Sequence, residues 1–128
     1  MVRMRRLFVC GSLRKGEINH ERFEGFGDRL LATGTIAGVV LKHLGSYPAL
    51  FPSADPNDRV VGEVYEVSDE LGAVIDAWEN EDGYTPRAVV VHSTAGAIRA
   101  EAYFYSHPER IAERPVVAGG DWSLRDRS

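Results

Sequence analysis

The chain has 128 residues, 44% of them hydrophobic and 27% charged, with a formal net charge of −4. This is the make-up of one ordinary globular domain, long enough to bury roughly two thirds of the surface its unfolded form would expose. The acidic balance argues against a nucleic-acid partner, and no apolar run is long enough for a membrane span or a signal-peptide core, so a cytoplasmic protein is expected.

The basic cluster Arg3, Arg5 and Arg6 precedes the apolar run Leu7 to Cys10, and it is expected at the solvated start of a first strand, Arg5 to Cys10, which stops at Gly11-Ser12. Glu17 to Phe26 reads as a short irregular helix interrupted by Gly25 and Gly27. Thr33 to Leu41 reads as a second strand, with Gly34 and Gly38 as bulge or bend positions that let a sheet curl. Gly45 to Asn57 carries Pro48, Pro52 and Pro56 and is expected to be a loop. Arg59 to Val67 then alternates into a strand ending at Ser68.

Ser68 reads as a helix N-cap with Asp69 and Glu70 in the first turn, and the helix runs to about Trp78 or Glu79 before Asn80 to Pro86 breaks it. Two strands follow, Arg87 to His92 and Ile98 to Tyr105, joined by a hairpin turn at Ser93-Thr94-Ala95-Gly96. About five strands, one clear helix and no βαβ alternation predict an α+β domain spanning residues 1–128, with frayed ends. Its sheet is mixed and curls into a small β-barrel with peripheral helices.

Two features could carry chemistry. Glu79 follows Leu71, Val74, Ile75 and Trp78 at helical spacing, so its carboxylate closes the inward-facing side of the helix. A partly buried glutamate there is suited to accept and return a proton near neutral pH, and the alternative is a helix-end glutamate that reaches water or pairs with an arginine. Phe8 to Gly16 is a strand entering a glycine-containing loop whose amides can point at a ligand oxygen, and the alternative is an ordinary turn with two solvated bases. The single cysteine, Cys10, excludes an internal disulfide. The histidines His20, His43, His92 and His107 form no close pair, so no metal site is indicated.

Phe8 to Glu17, Tyr47-Pro48-Ala49, Val61 to Tyr65, Asp76-x-x-Glu79, Tyr84 to Arg87 and Gly120-Asp121-Trp122 occur in one order along most of the chain. In that order the sequence resembles the gamma-glutamylcyclotransferase-like family. The resemblance implies a cofactor-independent enzyme in which the α-amine of a γ-glutamyl donor attacks its own γ-carbonyl, releasing 5-oxoproline and an amine or amino acid. It implies Glu79 as general acid/base and Gly11, Ser12 and Leu13 as the substrate cradle through backbone amides. It further suggests Tyr84 closing over the substrate and Arg87 anchoring the segment after the helix, each with a plain packing or ion-pair alternative. Asp76 is expected to cap or pair locally, Tyr103 and Tyr105 to share one strand face with core packing for one or both, and Trp122 to pin the C-terminal segment over an apolar rim.

Departures from the pattern bear on the site. Cys10 stands where the family usually has an aromatic before Gly-Ser-Leu, removing a wall of the pocket, and with no histidine near it in sequence it makes a poor covalent nucleophile. Asn80 replaces a glycine, Glu81 and Asp82 add negative charge, and Pro86 lengthens the spacing from Tyr84 to Arg87. The partner that the resemblance implies is a small-molecule γ-glutamyl substrate. A pocket that only binds a small carboxylated metabolite, and an amidase that uses water and releases free glutamate, are the competing readings.

Overall fold

The structure is a computed structural model, and it describes residues 4–11, 29–43, 48–107, 109, 115–117 and 120–122. Among them run seven strands and one helix: β1 (Met4–Val9), β2 (Arg29–Ala37), β3 (Val39–His43), β4 (Pro48–Pro52), β5 (Arg59–Ser68), α1 (Asp69–Glu81), β6 (Tyr84–Ser93) and β7 (Gly96–Tyr105). Five strands form a closed, mixed sheet in the order β1-β5-β2-β6-β7, while β3 and β4 form a separate two-stranded ribbon. The ring closes where β1 lies parallel to β7, with Leu7 opposite Glu101 and Phe8 opposite Ala102. The helix expected over Glu17 to Phe26 lies outside the described residues.

Period-two alternation sorts the apolar residues into two cores. Phe8, Val64, Ala102, Phe104 and Trp122 belong to the cluster inside the closed sheet. Leu7, Val9, Tyr65, Val67 and Tyr103 face outward and are covered by Leu71 and Ile75 of α1. β1 is thus buried on both faces at Leu7, Phe8 and Val9, which explains its unbroken apolar run. Trp122, only 1% exposed, fills the inner core rather than covering a rim, because the chain passes directly over β5. A Cβ at Gly120, whose φ is +64°, would lie 1.9 Å from the Arg59 carbonyl oxygen.

Several sequence expectations are corrected. The stretch from Gly45 to Asn57 contains a strand, β4, because Pro48 and Pro52 sit at its two ends and Ala49 and Leu50 between them are fully buried. The expected strand Thr33 to Leu41 is two strands, parted at Gly38, whose φ of +74° only glycine adopts without strain. Gly34 marks a close approach, since a Cβ there would sit 2.6 Å from the His92 carbonyl oxygen, and the β2 irregularity falls at Leu30/Ala32 instead. The Ser68 hydroxyl accepts from the Leu71 amide as an N-cap should, but α1 continues to Glu81 before Gly83, at φ +91°, turns the chain.

Tyr84 to Pro86 is therefore the start of β6 and not part of a helix-breaking loop. The proline is tolerated because β2 pairs with β6 only at Thr35↔His92 and Gly34↔Ser93. Counting alternate pairs back from Ser93↔Gly96 puts the Pro86 nitrogen on the side away from β7, where a ladder bond is not needed. Where β2 and β6 diverge, a groove of about 340 Å³ opens, lined by Ile36, Val39, Pro52, Arg87, Val89 and Phe104 among others.

Candidate active site

The last turn of α1 carries Glu79, and the chain reverses at Gly83 so that Tyr84 begins β6 beside it. Tyr84 and Tyr105 face each other across the β6/β7 ladder, their rings edge to face with centroids 5.5 Å apart. The Tyr84 hydroxyl donates to the Pro48 carbonyl oxygen at 2.7 Å. Pro48 in turn lies against the end of β1, where a Cβ at Gly11 would come within 2.5 Å of the proline Cγ. The glycine at position 11 is thus required by close approach, which brings the β1 exit, the start of β4 and the start of β6 to one place.

Charge ties Glu79 and Cys10 to this cluster. Burial pushes the Tyr84 phenol well above the ordinary tyrosine range, and electrostatic interaction with Glu79 adds most to the rise after it, followed by Cys10, Tyr105 and Asp82. Tyr103 is held up likewise, by burial first, then by its bond to Asp76, with a contribution from Glu79. Both hydroxyls therefore stay protonated and neither can serve as a base, while the Glu79 carboxylate lies within electrostatic reach of both. Glu79 itself is half-buried, as is Cys10.

Behind this cluster runs a charged network that sequence reasoning underrated. Arg5 was expected in solvent, yet its side chain is only 18% exposed and clamps Asp76 through two hydrogen bonds of 2.9 and 3.0 Å. Its Nε donates to Glu101 at 3.0 Å, and the Tyr103 hydroxyl donates to Asp76 Oδ1 at 2.6 Å. Asp76 accordingly pairs with residues on β1 and β7 rather than locally. The parallel closure of β1 on β7 puts Arg5, Glu101 and Tyr103 on the outer face that α1 covers, a long-range arrangement that no local spacing reveals. Glu63, 6% exposed, accepts from the Tyr65 hydroxyl at 3.0 Å and lies opposite Val9, a buried carboxylate that its alternating strand pattern did not single out.

Of the residues singled out in the sequence, Glu79, Cys10, Gly11 and Tyr84 come together. Ser12 and Leu13 lie outside the described residues. Arg87 does not join them: three residues beyond Tyr84 it faces the opposite side of β6, its guanidinium carbon 5.0 Å from the Phe104 ring centroid at the groove between β2 and β6. Among the described residues no group of three potential metal ligands occurs, and no helix is long and apolar enough to cross a membrane.

The family model for gamma-glutamyl cyclotransferase, AIG2-like proteins matches residues 7–124. The chain belongs to this family. A Methanocaldococcus jannaschii protein named as a candidate gamma-glutamylcyclotransferase is 32% identical over 123 residues, which cover 93% of this chain and 96% of that one. The gamma-L-glutamyl-butirosin B gamma-glutamyl cyclotransferase of Niallia circulans is 39% identical over 80 residues, 62% of this chain and 49% of its own length. A solved structure from Pyrococcus horikoshii, of a protein with no assigned function, is similar with a TM-score of 0.70 at 26% identity, covering 93% of this chain and 90% of that one. In this gamma-glutamyl cyclotransferase family member α1 packs over the outer face of β1, Leu71 and Ile75 against Leu7 and Val9.

Proposed function

We propose that the protein is a γ-glutamyl cyclotransferase that converts a γ-glutamyl amine or γ-glutamyl amino acid to 5-oxoproline and the free amine or amino acid. The observation that carries this reading is the placement of Glu79. Its carboxylate lies within electrostatic reach of the Tyr84 and Tyr103 hydroxyls, whose protons are already committed to Pro48 and Asp76. A carboxylate there can accept and return a proton, which neither phenol can.

In the reaction the substrate folds so that its α-amine attacks its own γ-carbonyl carbon. A C–N bond forms, and the proton that the amine sheds passes to the Glu79 carboxylate. The tetrahedral intermediate then expels the leaving nitrogen, which takes the proton back from Glu79, so the cycle closes without cofactor or water. Amides of the turn at Gly11, with Ser12 and Leu13, hold the substrate carboxylate, and Tyr84 bounds the pocket. Confinement of the chain in a near-attack geometry supplies the part of the acceleration that proton transfer does not. A base of this kind contributes about 10² to 10⁴-fold.

The test is mass-spectrometric detection of 5-oxoproline after incubation with a panel of γ-glutamyl amines and dipeptides, with Glu79→Gln alongside. Formation by the wild type and a drop of about 10² to 10⁴-fold in the variant, with fold and ligand affinity kept, supports the reading. Free glutamate in place of 5-oxoproline would assign an amidase. Ligand binding without any product would assign a binding module, and a Glu79→Gln variant as active as wild type would remove Glu79 from its role.

A further inference from the structure

Pairing between β2 and β6 stops at Thr35↔His92, so Ala88 and Val90 have no ladder partner on β2. Alternate pairs counted back from Ser93↔Gly96 turn the N–H and C=O groups of both residues to that side, where they line the groove between the two strands. The rest of the lining is apolar, Ile36, Val39, Val89 and Phe104 among it, and Arg87 is the one charged group among the described residues that form it. The Arg87 guanidinium carbon lies 5.0 Å from the Phe104 ring centroid. Stacking of this kind uses the flat face of the guanidinium and leaves the N–H donors on its edge for a partner. Two more arginines stand at the rim, Arg59 directly across the ladder from Ala37 and Arg99 directly across from Val90, both of which line the groove. Side chains so paired have Cβ atoms about 5 Å apart. Among the described residues none of the three arginines forms an ion pair, and Glu101, opposite Ala88, is committed to Arg5. The groove is apolar within and positive around, in a chain whose net charge is −4.

We infer that this groove is a second binding site, for a small amphipathic carboxylate whose apolar body lies on Ile36, Val39 and Val89 and whose carboxylate takes a two-pronged bond from the edge of Arg87. Its volume of about 340 Å³ falls in the range of small-molecule pockets. The open edge of β6 is too poor in donors for a longer occupant. Adding a strand takes a run of alternating backbone donors, and Pro86 has none to give, so between it and His92 only the Ala88 and Val90 N–H groups are offered. Two donors suit a polar oxygen on a small ligand. The arginine rim selects an anion over a cation and draws it in from solvent. The site lies on the other side of β6 from Tyr84 and takes no part in the proton transfer assigned to Glu79.

The test titrates octanoate, with octanol as its uncharged counterpart, into protein labelled at the isoleucine and valine methyl groups and followed by NMR. Octanoate should shift the methyl resonances of Ile36, Val39 and Val89 saturably and leave that of Val67, beneath α1, in place. Octanol should bind about tenfold more weakly. Arg87→Met keeps an unbranched stem over Phe104 but loses the charge, and should weaken octanoate about tenfold while leaving octanol unchanged. Arg59→Gln and Arg99→Gln should each weaken octanoate about two- to threefold, an effect that added salt removes. All three arginines are exposed, so these variants keep the fold. Glu79→Gln should bind octanoate as the wild type does, and because binding needs no turnover, a protein that makes no 5-oxoproline bears on the functional reading alone. Absence of saturable shifts at the groove, octanol binding as tightly as octanoate, or an affinity that Arg87→Met leaves unchanged overturns the inference. So does a dimer in sedimentation that Val90→Lys disperses and octanoate does not, which would give this edge to a second copy of the chain.

Discussion

The Tyr84 hydroxyl donates to the Pro48 carbonyl oxygen at 2.7 Å, tying the first residue of β6 to the first residue of β4, 36 positions away in the chain. This bond joins the two-stranded ribbon to the closed sheet at Tyr84, which lies within electrostatic reach of both Glu79 and Cys10. It also fixes the phenol's one hydrogen away from Glu79.

Tyr84→Phe removes that bond and nothing else of comparable size. Unfolding in urea should show a loss of about 1 kcal/mol, the usual net worth of such a hydrogen bond. Turnover of a γ-glutamyl substrate should fall further than stability, because the Pro48 segment loses its tether beside the site. Equal stability in the two proteins would show that water replaces the hydroxyl without cost.

Gly11→Ala puts a methyl group 2.5 Å from the Pro48 Cγ, closer than any real contact, so β1 and β4 must separate. The expected result is a folded protein with turnover reduced about tenfold or more, since small misplacements at a reacting centre are costly. Pro48→Ala deletes the obstructing ring carbon and should restore part of the loss in the double variant. A double-mutant cycle with no coupling would refute the close packing as the cause.

Gly72 lies in the body of α1, where replacing glycine by alanine ordinarily stabilises a helix by about 0.5–1 kcal/mol. Here the added methyl would meet the Arg5 guanidinium at 2.6 Å. Gly72→Ala should therefore lower Tm in the wild type and raise it when Arg5 is alanine. The change of sign, measured by thermal unfolding of the four proteins, is the diagnostic outcome.

Partial burial pushes the Asp76 carboxyl up, but the Arg5 and Tyr103 hydrogen bonds and the Arg5 charge outweigh it and hold the group below the ordinary aspartate range. A carboxyl depressed in the folded state adds stability that is present above its unfolded pKa, about 3.9, and is lost as pH falls through the lower folded value. Wild-type Tm should accordingly drop as pH falls below about 4, through a window in which Asp76→Asn, which cannot be protonated there, shows a shallower slope. Because the pair is partly exposed, added salt should flatten the wild-type curve as well.

Local signals carried much of the fold. Ser68 with its acidic first turn announced α1, the Ser93 to Gly96 turn announced the β6/β7 hairpin, and the spacing of Leu71, Ile75 and Trp78 placed Glu79 on the covered side of the helix. Each depends on neighbours within a turn or two, where backbone hydrogen bonding and side-chain period are settled. The order of short motifs added the family and with it the expectation of chemistry at Glu79.

Pairings distant in sequence were decided only by the tertiary structure. Three prolines hid β4, because a strand paired on one side can spare the amides that proline lacks, and nothing local says which side is unpaired. Arg5 read as a solvated base until the parallel closure of β1 on β7 set it against Asp76 and Glu101. The same closure delivered Tyr103 to the helix, while strand alternation sent Arg87 to the far side of β6 from Tyr84. The sequence by itself therefore nominated the candidate residues and determined the element of some of them, Glu79 on α1 and Arg87 on β6, but not that of Tyr84. Only the tertiary structure decided which of them meet, because contacts between positions tens of residues apart depend on how the sheet closes.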